Sequence, residues 1–483
     1  MADVNTVSNE QSLRARAAEF GQDHIFRFWD TLNEAERANL LAQVSEIDFP
    51  LMQRLAQEWI FHTPAPEKFN DIKPLACIPV ATKDRADARE AWEAGEAALR
   101  AGRVGLFLVA GGQGTRLGFD GPKGAYPIGP ITGKTLFQYH AEKIANLLSR
   151  YGCVLPWYIM VSDANEAETR EFFAQYNYFG LAQKDVTFLT QRMVPCMDAQ
   201  GKFMLEERGA LAMNPNGHGG SLPAMVERGI LDDCRARGID LLSFFQVDNW
   251  AVQVADPYFI GYHVLRGADM SSKNHRKHAP REAVGVHCIC DGQYRVIEYS
   301  ELDLYPQLLD TDADGNVVYY AGNPAIHMIS VDFVQRVYDH FDEFPWHLAH
   351  KKIPHLDVQG NLVKPDKPNG YKFETFVFDA LRFIRNEPLG LEINPEGEYT
   401  PIKQFEGDNS VVAARKSMAN YWGGWLEAAG HSVPRTEGKV SLPIEISPRY
   451  AWTRDEFVAK ATTLSLPTTY AQLAIDENGK ATA

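Results

Sequence analysis

The sequence is short of everything that would mark a secreted, membrane-bound or nucleic-acid-binding protein. Its six cysteines, Cys77, Cys153, Cys196, Cys234, Cys288 and Cys290, include no CxxC pair. Cys288 and Cys290 alternate as in a strand and share a face, but two thiols without further ligands make a poor metal site. The expectation is six reduced thiols in a cytoplasmic protein. No apolar run reaches the about 18 residues that a membrane-crossing helix needs. The opening MADVNTVSNEQSLRARAAEF lacks the apolar stretch of a signal peptide. Positive charge is scarce: 48 Lys and Arg stand against 63 Asp and Glu, a net charge of −15. That excludes a general nucleic-acid binder, which needs a basic face to neutralise phosphates. It leaves room for a small phosphate ligand, whose site needs only a few local cations and backbone N–H groups. No internal repeat or low-complexity segment is evident.

What is present is ordinary core material, 45% hydrophobic and 11% aromatic over 483 residues. At roughly 150 residues per domain this suggests about three domains, or one large domain with flanking pieces. Residues 9–60 carry Leu40, Leu41, Val44, Ile47, Leu51, Met52, Leu55 and Trp59 at helical spacing, with Pro50 as punctuation. Residues 84–101 predict an Ala-rich helix ending at Gly102. The texture then changes. Val104–Ala110, Trp157–Val161, Val186–Leu189, Leu241–Val247 and Val284–Cys290 predict strands, and 135–149, 166–176 and 223–237 predict helices. Such alternation implies an α/β domain with a mainly parallel, mixed sheet over 103–385. A helical region, 1–102, precedes it. A smaller α+β region, 386–483, follows, with a helix at 410–429, a strand-like piece at Lys439–Ile446 and a terminal helix from Thr453.

One motif fails on inspection. Asp310-x-Asp312-x-Asp314-Gly315 matches the start of a calcium loop, but the twelfth position is Ala321 where a bidentate Glu is needed. Asp314-Gly315-Asn316 reads instead as a hairpin turn.

The strongest feature is Ala110-Gly111-Gly112-Gln113-Gly114-Thr115-Arg116-Leu117-Gly118, followed by Pro122-Lys123-Gly124. A buried strand runs into glycines that let backbone N–H groups approach a phosphate or base, with Arg116 and Lys123 as cations beside them. The C-terminal end of such a strand is where open α/β sheets bind ligands. The plain alternative is a tight turn with no ligand. A dinucleotide fingerprint is disfavoured because Gly118 comes one residue late and no acidic residue lies in 130–138. Gly129-Pro130-Ile131-Thr132-Gly133-Lys134-Thr135 is one residue short of a Walker A loop.

The GGxGTxLG pattern followed by PK resembles the UDP-sugar pyrophosphorylases, and is especially similar to the eukaryotic-type UDP-N-acetylglucosamine enzymes. The glucose enzymes tend to carry Leu where this chain has Gln113. Similar stretches include Tyr178–Leu181, Val247-Asp248-Asn249, Val254–Pro257, Val296–Glu301, Ala321-Gly322-Asn323 and Lys364–Gly370, so that the resemblance covers roughly residues 100–430. It implies a Rossmann-like nucleotidyltransferase fold and a reversible reaction, UTP plus a sugar 1-phosphate giving a UDP-sugar and pyrophosphate.

The same resemblance implies the site. Gly111, Gly112 and Gly114 would hold uridine and phosphates by backbone contact. Arg116, Lys123 and Lys403 would bind phosphate oxygens. Gln191 and Gly217 would face the uracil, whose donors and acceptors an amide can match. Asp248, at the end of an apolar run, would hold Mg²⁺ against the phosphates, with Asn249 as a neighbouring contact. The sugar would meet Gly285, Glu298 and Asn323. Phe376 and Phe378 would pack an acetyl methyl or simply the core. Taken as residues alone, Gln191 and Lys403 read as surface groups, Asp248 is either a metal ligand or a cap, and the plain alternative for Lys123 is a solvated turn lysine.

The chain departs from the family at Gly217-His218-Gly219-Gly220. N-acetylglucosamine enzymes usually read Gly-Asn-Gly-Gly there, and glucose or broad-specificity enzymes Gly-His-Gly-Asp. His218 is expected to contact the sugar with a charge that varies near neutral pH. The acceptor is expected to be N-acetylglucosamine 1-phosphate, with glucose, galactose or another hexose 1-phosphate as the alternative. A nucleotide-sugar binding protein that lost the chemistry is the competing class, and intact Arg116, Lys123, Asp248 and Lys403 argue against it. No nucleic acid or membrane is expected as a partner.

Overall fold

The computed structural model describes residues 4–62, 65–82, 84–462, 464–467 and 470–483, with side chains from residue 10 onward. The chain forms two compact units. One comprises Met1–Lys68, Gln191–Ser221 and Asp342–Asp379; the other comprises Phe69–Thr190, Leu222–Phe341 and Ala380–Ala483.

The larger unit is built on an eleven-stranded mixed sheet. Its strands in chain order are β1 (Ile72–Pro74), β2 (Val104–Val109), β3 (Trp157–Val161), β4 (Val186–Thr190), β5 (Leu241–Gln246), β6 (Met270–Arg276), β7 (Val286–Cys290), β8 (Gln293–Ile297), β9 (Ala321–Gly322), β10 (His327–Ser330) and β11 (Leu389–Ile393). The spatial order is β1-β7-β9-β6-β10-β5-β2-β3-β4, with β8 on β7 and β11 on β6. Strands β5, β2, β3 and β4 are parallel neighbours, as alternation with helices requires. Beyond β5 the neighbours β10, β6, β9, β7 and β1 pair antiparallel, while β11 adds to β6 in parallel.

Strand β2 reads Val-Gly-Leu-Phe-Leu-Val and its first five residues are buried, as expected of a parallel strand covered on both faces. The crossover from β2 to β3 contains helix Leu136–Tyr151, opened by a Thr135 side chain that accepts from Gln138 N and closed by Gly152 at φ 63°. Helices Ala86–Arg100 and Pro257–Arg266 touch backbone to backbone. A Cβ on Gly261 would lie 1.6 Å from Ala91 O, and one on Gly95 1.9 Å from Pro257 O. Only glycine permits that approach.

The helix expected over 223–237 is broken. Gly229 takes φ 73° and separates Ser221–Glu227 from Ile230–Arg237. Toward the C-terminus, Val411–Ala428 and Arg454–Ala461 are helical, the latter capped by Thr453. The strand-like piece divides into Lys439–Val440 and Ile444–Ile446. Asp312 accepts backbone N–H bonds from Asp314 and Asn316, and Gly315 takes φ 81°, so this stretch is a turn rather than a calcium loop. All six cysteines are free thiols. Among the described residues no helix is long and apolar enough to cross a membrane.

The smaller unit begins with helices Val4–Glu19, Glu34–Ser45 and Phe49–Leu55. Asn33 and Glu36 form a reciprocal capping box, and Asp48 caps the third helix at Leu51 N. Leu40, Val44, Met52 and Leu55 are buried with Met197, Phe203, Leu205, Trp346 and Phe373 in one apolar cluster.

Candidate active site

Parallel pairing of β2 with β5 sets the site. Val109 is in register with Gln246, so both strands end at the same edge of the sheet. The glycine loop leaves one strand and Asp248 follows the other. Lys123 folds back onto the loop through its backbone, Lys123 N donating to Gly112 O at 3.0 Å. Its Nζ then lies 2.8 Å from Asp248 Oδ2. Thus a cation, a carboxylate and glycine backbone meet where the strands end. Arg116 is exposed on the short turn Thr115–Leu117 that follows Gly114.

The loop itself is held by residues that sequence reasoning missed. Asn165 Nδ2 donates to Ala110 O at 3.0 Å and Gly112 O at 3.3 Å. Ser162 Oγ donates to Gly111 O at 2.9 Å. The available signal was Ser-x-x-Asn directly after β3, a capping pattern at the same sheet edge.

Asn249 is committed to the protein's own backbone. Its Nδ2 donates to Glu398 O at 2.7 Å and its Oδ1 accepts from Thr400 N at 3.0 Å. Asp248 O also accepts from Ile402 N at 3.0 Å. These bonds lay segment 398–402 along the Asp248 loop, and the next residue is the exposed Lys403. In this geometry Asn249 brings Lys403's segment to Asp248.

Gly285, Glu298 and Asn323 come together at the end of the β7–β8 hairpin. Gly285 O accepts from Asn323 N at 2.9 Å, and a Cβ at Gly285 would sit 2.9 Å from Glu298 Oε1. Asn323 Oδ1 accepts from Ala325 N at 3.0 Å, which fixes the turn after β9.

Gln191, Gly217 and His218 belong to the smaller unit. Gln191 is 6% exposed and its Nε2 donates to Gly217 O at 3.2 Å and Asn216 Oδ1 at 3.3 Å. Gly217 has φ 83° and ψ 170°, a region essentially reserved for glycine. His218 Nδ1 accepts a hydrogen bond from Val377 N at 3.0 Å. Nδ1 is therefore unprotonated and Nε2 carries the hydrogen. Burial pushes the imidazole down to about 4. The expected charge near neutral pH is thus corrected: His218 is a neutral Nε2–H donor, because desolvation disfavours the imidazolium. Phe376 stacks on its ring at 5.3 Å, and His347, hydrogen-bonded to Asp379 at 2.7 Å, stacks on Phe376 at 4.4 Å. Phe378 packs against His218 at 5.7 Å.

The near-Walker loop is used structurally. Lys134 Nζ pairs with Glu142 at 2.8 Å, and Glu445 accepts from Ile131 N, Thr132 N, the Thr132 hydroxyl and the Tyr139 hydroxyl.

A divalent cation is the group this chemistry implies. Among the described residues no cluster of three or more His, Cys, Asp or Glu could cage one. Asp248 offers a single carboxylate at the strand end. That donor set fits Mg²⁺, which is commonly bound by one or two carboxylates together with substrate phosphates.

The sequence profile of the UTP–glucose-1-phosphate uridylyltransferase family matches residues 54–417. The chain is 38% identical over 442 residues to the human UDP-N-acetylhexosamine pyrophosphorylase-like protein 1, covering 88% of this chain and 87% of that one. It is 33% identical over 485 residues to UDP-N-acetylglucosamine diphosphorylase 2 of Arabidopsis thaliana, covering 96% and 94%. Its fold matches the crystal structure of the Trypanosoma brucei uridine diphosphate N-acetylglucosamine pyrophosphorylase with a TM-score of 0.81 at 26% identity, over 98% and 99% of the two chains. A glycine loop, a Lys–Asp pair at the ends of parallel strands and these matches over most of its length lead to one conclusion: the chain belongs to the UTP–glucose-1-phosphate uridylyltransferase family, the UDP-sugar pyrophosphorylases, which are nucleotidyltransferases.

Proposed function

We propose that the chain transfers the uridylyl group of UTP to N-acetylglucosamine 1-phosphate, giving UDP-N-acetylglucosamine and pyrophosphate. The observation that carries this reading is Lys123 Nζ at 2.8 Å from Asp248 Oδ2, beside the glycine loop. A phosphate oxygen of the sugar phosphate attacks the α-phosphorus of UTP. The new P–O bond forms as the bond to the β-phosphate's bridging oxygen breaks, and its electron pair leaves on pyrophosphate. Two anions must be held together, so positioning and charge neutralisation supply most of the catalysis. Lys123, Arg116 and Lys403 face the phosphates. Gly111, Gly112 and Gly114 give the backbone room for the nucleotide, and the family resemblance assigns Gln191 and Gly217 to the base. Asp248 would hold Mg²⁺, which supplies charge neutralisation at the phosphates. Gly285, Glu298 and Asn323 take the sugar. A cytoplasmic setting, with all six thiols reduced, belongs to the same reading.

The N-acetyl preference is supported by the names of the human and Arabidopsis relatives. A hexose 1-phosphate lacking the acetamido group is the second reading, favoured by His218 in place of the usual Asn. A coupled assay of pyrophosphate release over a panel of sugar 1-phosphates decides between them. Preference for N-acetylglucosamine 1-phosphate supports the proposal, and a strong preference for glucose 1-phosphate overturns it in favour of the second reading.

A further inference from the structure

Tyr399 has no part in the site as built so far, yet the larger unit holds it firmly between the residues assigned to metal and sugar. Both of its chain neighbours are pinned. Lys273 Nζ, wholly buried, bridges Asp256 at 2.7 Å and the Glu398 carboxylate. Asn249 holds Glu398 O and Thr400 N. The Tyr399 ring stacks on the His275 imidazole with centroids 5.0 Å apart and planes at 22°. His275 is 2% exposed, and its Nε2 lies 2.8 Å from Glu282 Oε1. The second Glu282 oxygen accepts from His278 N at 2.8 Å, so the carboxylate is fixed in turn. The other neighbour of His275 is Gly322, where a Cβ would sit 2.7 Å from Cε1 of the ring. Gly322 directly precedes Asn323. The contacts therefore run from the Asp248 loop through Tyr399 and His275 to the Gly285–Asn323 turn.

Burial, and after it the charges of Asp248, Glu282 and Glu298, push the Tyr399 phenol's pKa up, so the hydroxyl keeps its proton. Ionised carboxylates only accept hydrogen bonds, and they repel a phosphate. A sugar phosphate entering this region carries oxygens that need donors. A phenol is a neutral donor that can meet them.

We propose that Tyr399 binds the acceptor, its hydroxyl donating a hydrogen bond to the sugar 1-phosphate, and that His275 and Glu282 are positioning residues that fix the plane of its ring. This deepens the proposed transfer reaction and rests on it for the identity of the acceptor. Tyr399→Phe keeps the ring stack and removes one donor. The expected result is a KM for N-acetylglucosamine 1-phosphate raised about tenfold, the size of one hydrogen bond, with the KM for UTP unchanged. Calorimetric titration reads the same point without turnover: Tyr399→Phe should bind UDP-N-acetylglucosamine about tenfold more weakly and UTP equally well. Glu282→Ala should shift the same sugar-side constant. In the double variant, Glu282→Ala with Tyr399→Phe, the two effects should add to less than their sum, and Glu282→Gln should restore most of the loss. An unchanged sugar-side constant in Tyr399→Phe, or a change confined to UTP, overturns the proposal. Failure of the unaltered protein to release pyrophosphate would defeat the transfer reading instead, and the calorimetric comparison separates the two.

Discussion

Lys123 Nζ and Asp248 Oδ2 stand 2.8 Å apart across 125 positions of sequence, with the two side chains only 16% and 14% exposed. The pairing follows from β2 and β5 being parallel neighbours. Asp248 comes two residues after the end of β5, and Lys123, fourteen residues beyond β2, is drawn back by its N–H bond to Gly112 O. If this pair handles phosphate charge, Lys123→Ala and Asp248→Ala should each lower kcat by about 10²-fold or more. Far-ultraviolet circular dichroism should remain that of the folded protein. Near-normal kcat in either variant would remove that residue from the mechanism.

Gly217→Ala tests the backbone beside Gln191. The φ of 83° with ψ 170° suits glycine alone, and an added Cβ would sit 2.3 Å from Thr375 O. The expected cost is roughly 1–3 kcal/mol for the strained conformation, read as a lower urea midpoint with an unchanged slope. Wild-type stability would mean that the loop relaxes easily.

His218 gives a pH prediction with a defined sign. Its folded pKa of about 4 lies below the ordinary 6.5 because burial disfavours the charged ring. The stability this contributes is fully present above pH 6.5 and is lost as pH falls toward about 4. Between about pH 6 and 8 the ring stays a neutral donor. The ratio of kcat/KM for N-acetylglucosamine 1-phosphate to that for glucose 1-phosphate should therefore stay flat over that interval. Ionisation of the sugar phosphates themselves is common to both substrates and cancels. A ratio that titrates with a midpoint near the free-histidine value would show that His218 is charged in use.

Glu445 predicts a stability effect away from the chemistry. It is 1% exposed and accepts from Ile131 N at 3.0 Å, Thr132 N at 2.9 Å and Tyr139 Oη at 2.8 Å. Glu445→Ala strands these donors, at about 1–3 kcal/mol for a buried unsatisfied group. Urea denaturation should show a loss of at least about 2 kcal/mol, and Glu445→Gln should lose less. Unchanged stability in Glu445→Ala would mean that water replaces the carboxylate.

The strands and helices of the parallel half were legible because their apolar runs, such as Val104–Val109, are buried on both faces and end in glycine or capping residues. The antiparallel half was harder. Strands such as β9 and β10 are only two and four residues long, too short to show a period. The break at Gly229 was hidden because helical spacing continues on both sides of a left-handed glycine. The glycine loop and Asp248 could be found from strand ends. The neutral state of His218 could not, since it depends on burial under Phe376 and Phe378 and on the N–H of Val377, 159 positions away. The same holds for Asn249, whose amide is taken up by a segment about 150 residues later. Tyr399 has no local motif at all, and only the stack on His275 brings it to notice.

One reaction mixture, followed by phosphorus nuclear magnetic resonance, tests the uridylyl transfer most directly. The protein is mixed with UTP, Mg²⁺ and N-acetylglucosamine 1-phosphate. UDP-N-acetylglucosamine and pyrophosphate should appear in equal amounts as both substrates decline, and the Asp248→Ala protein should give neither at a comparable rate. Intact substrates with the unaltered protein, or UTP cleaved to UDP and phosphate with the sugar phosphate untouched, would contradict it.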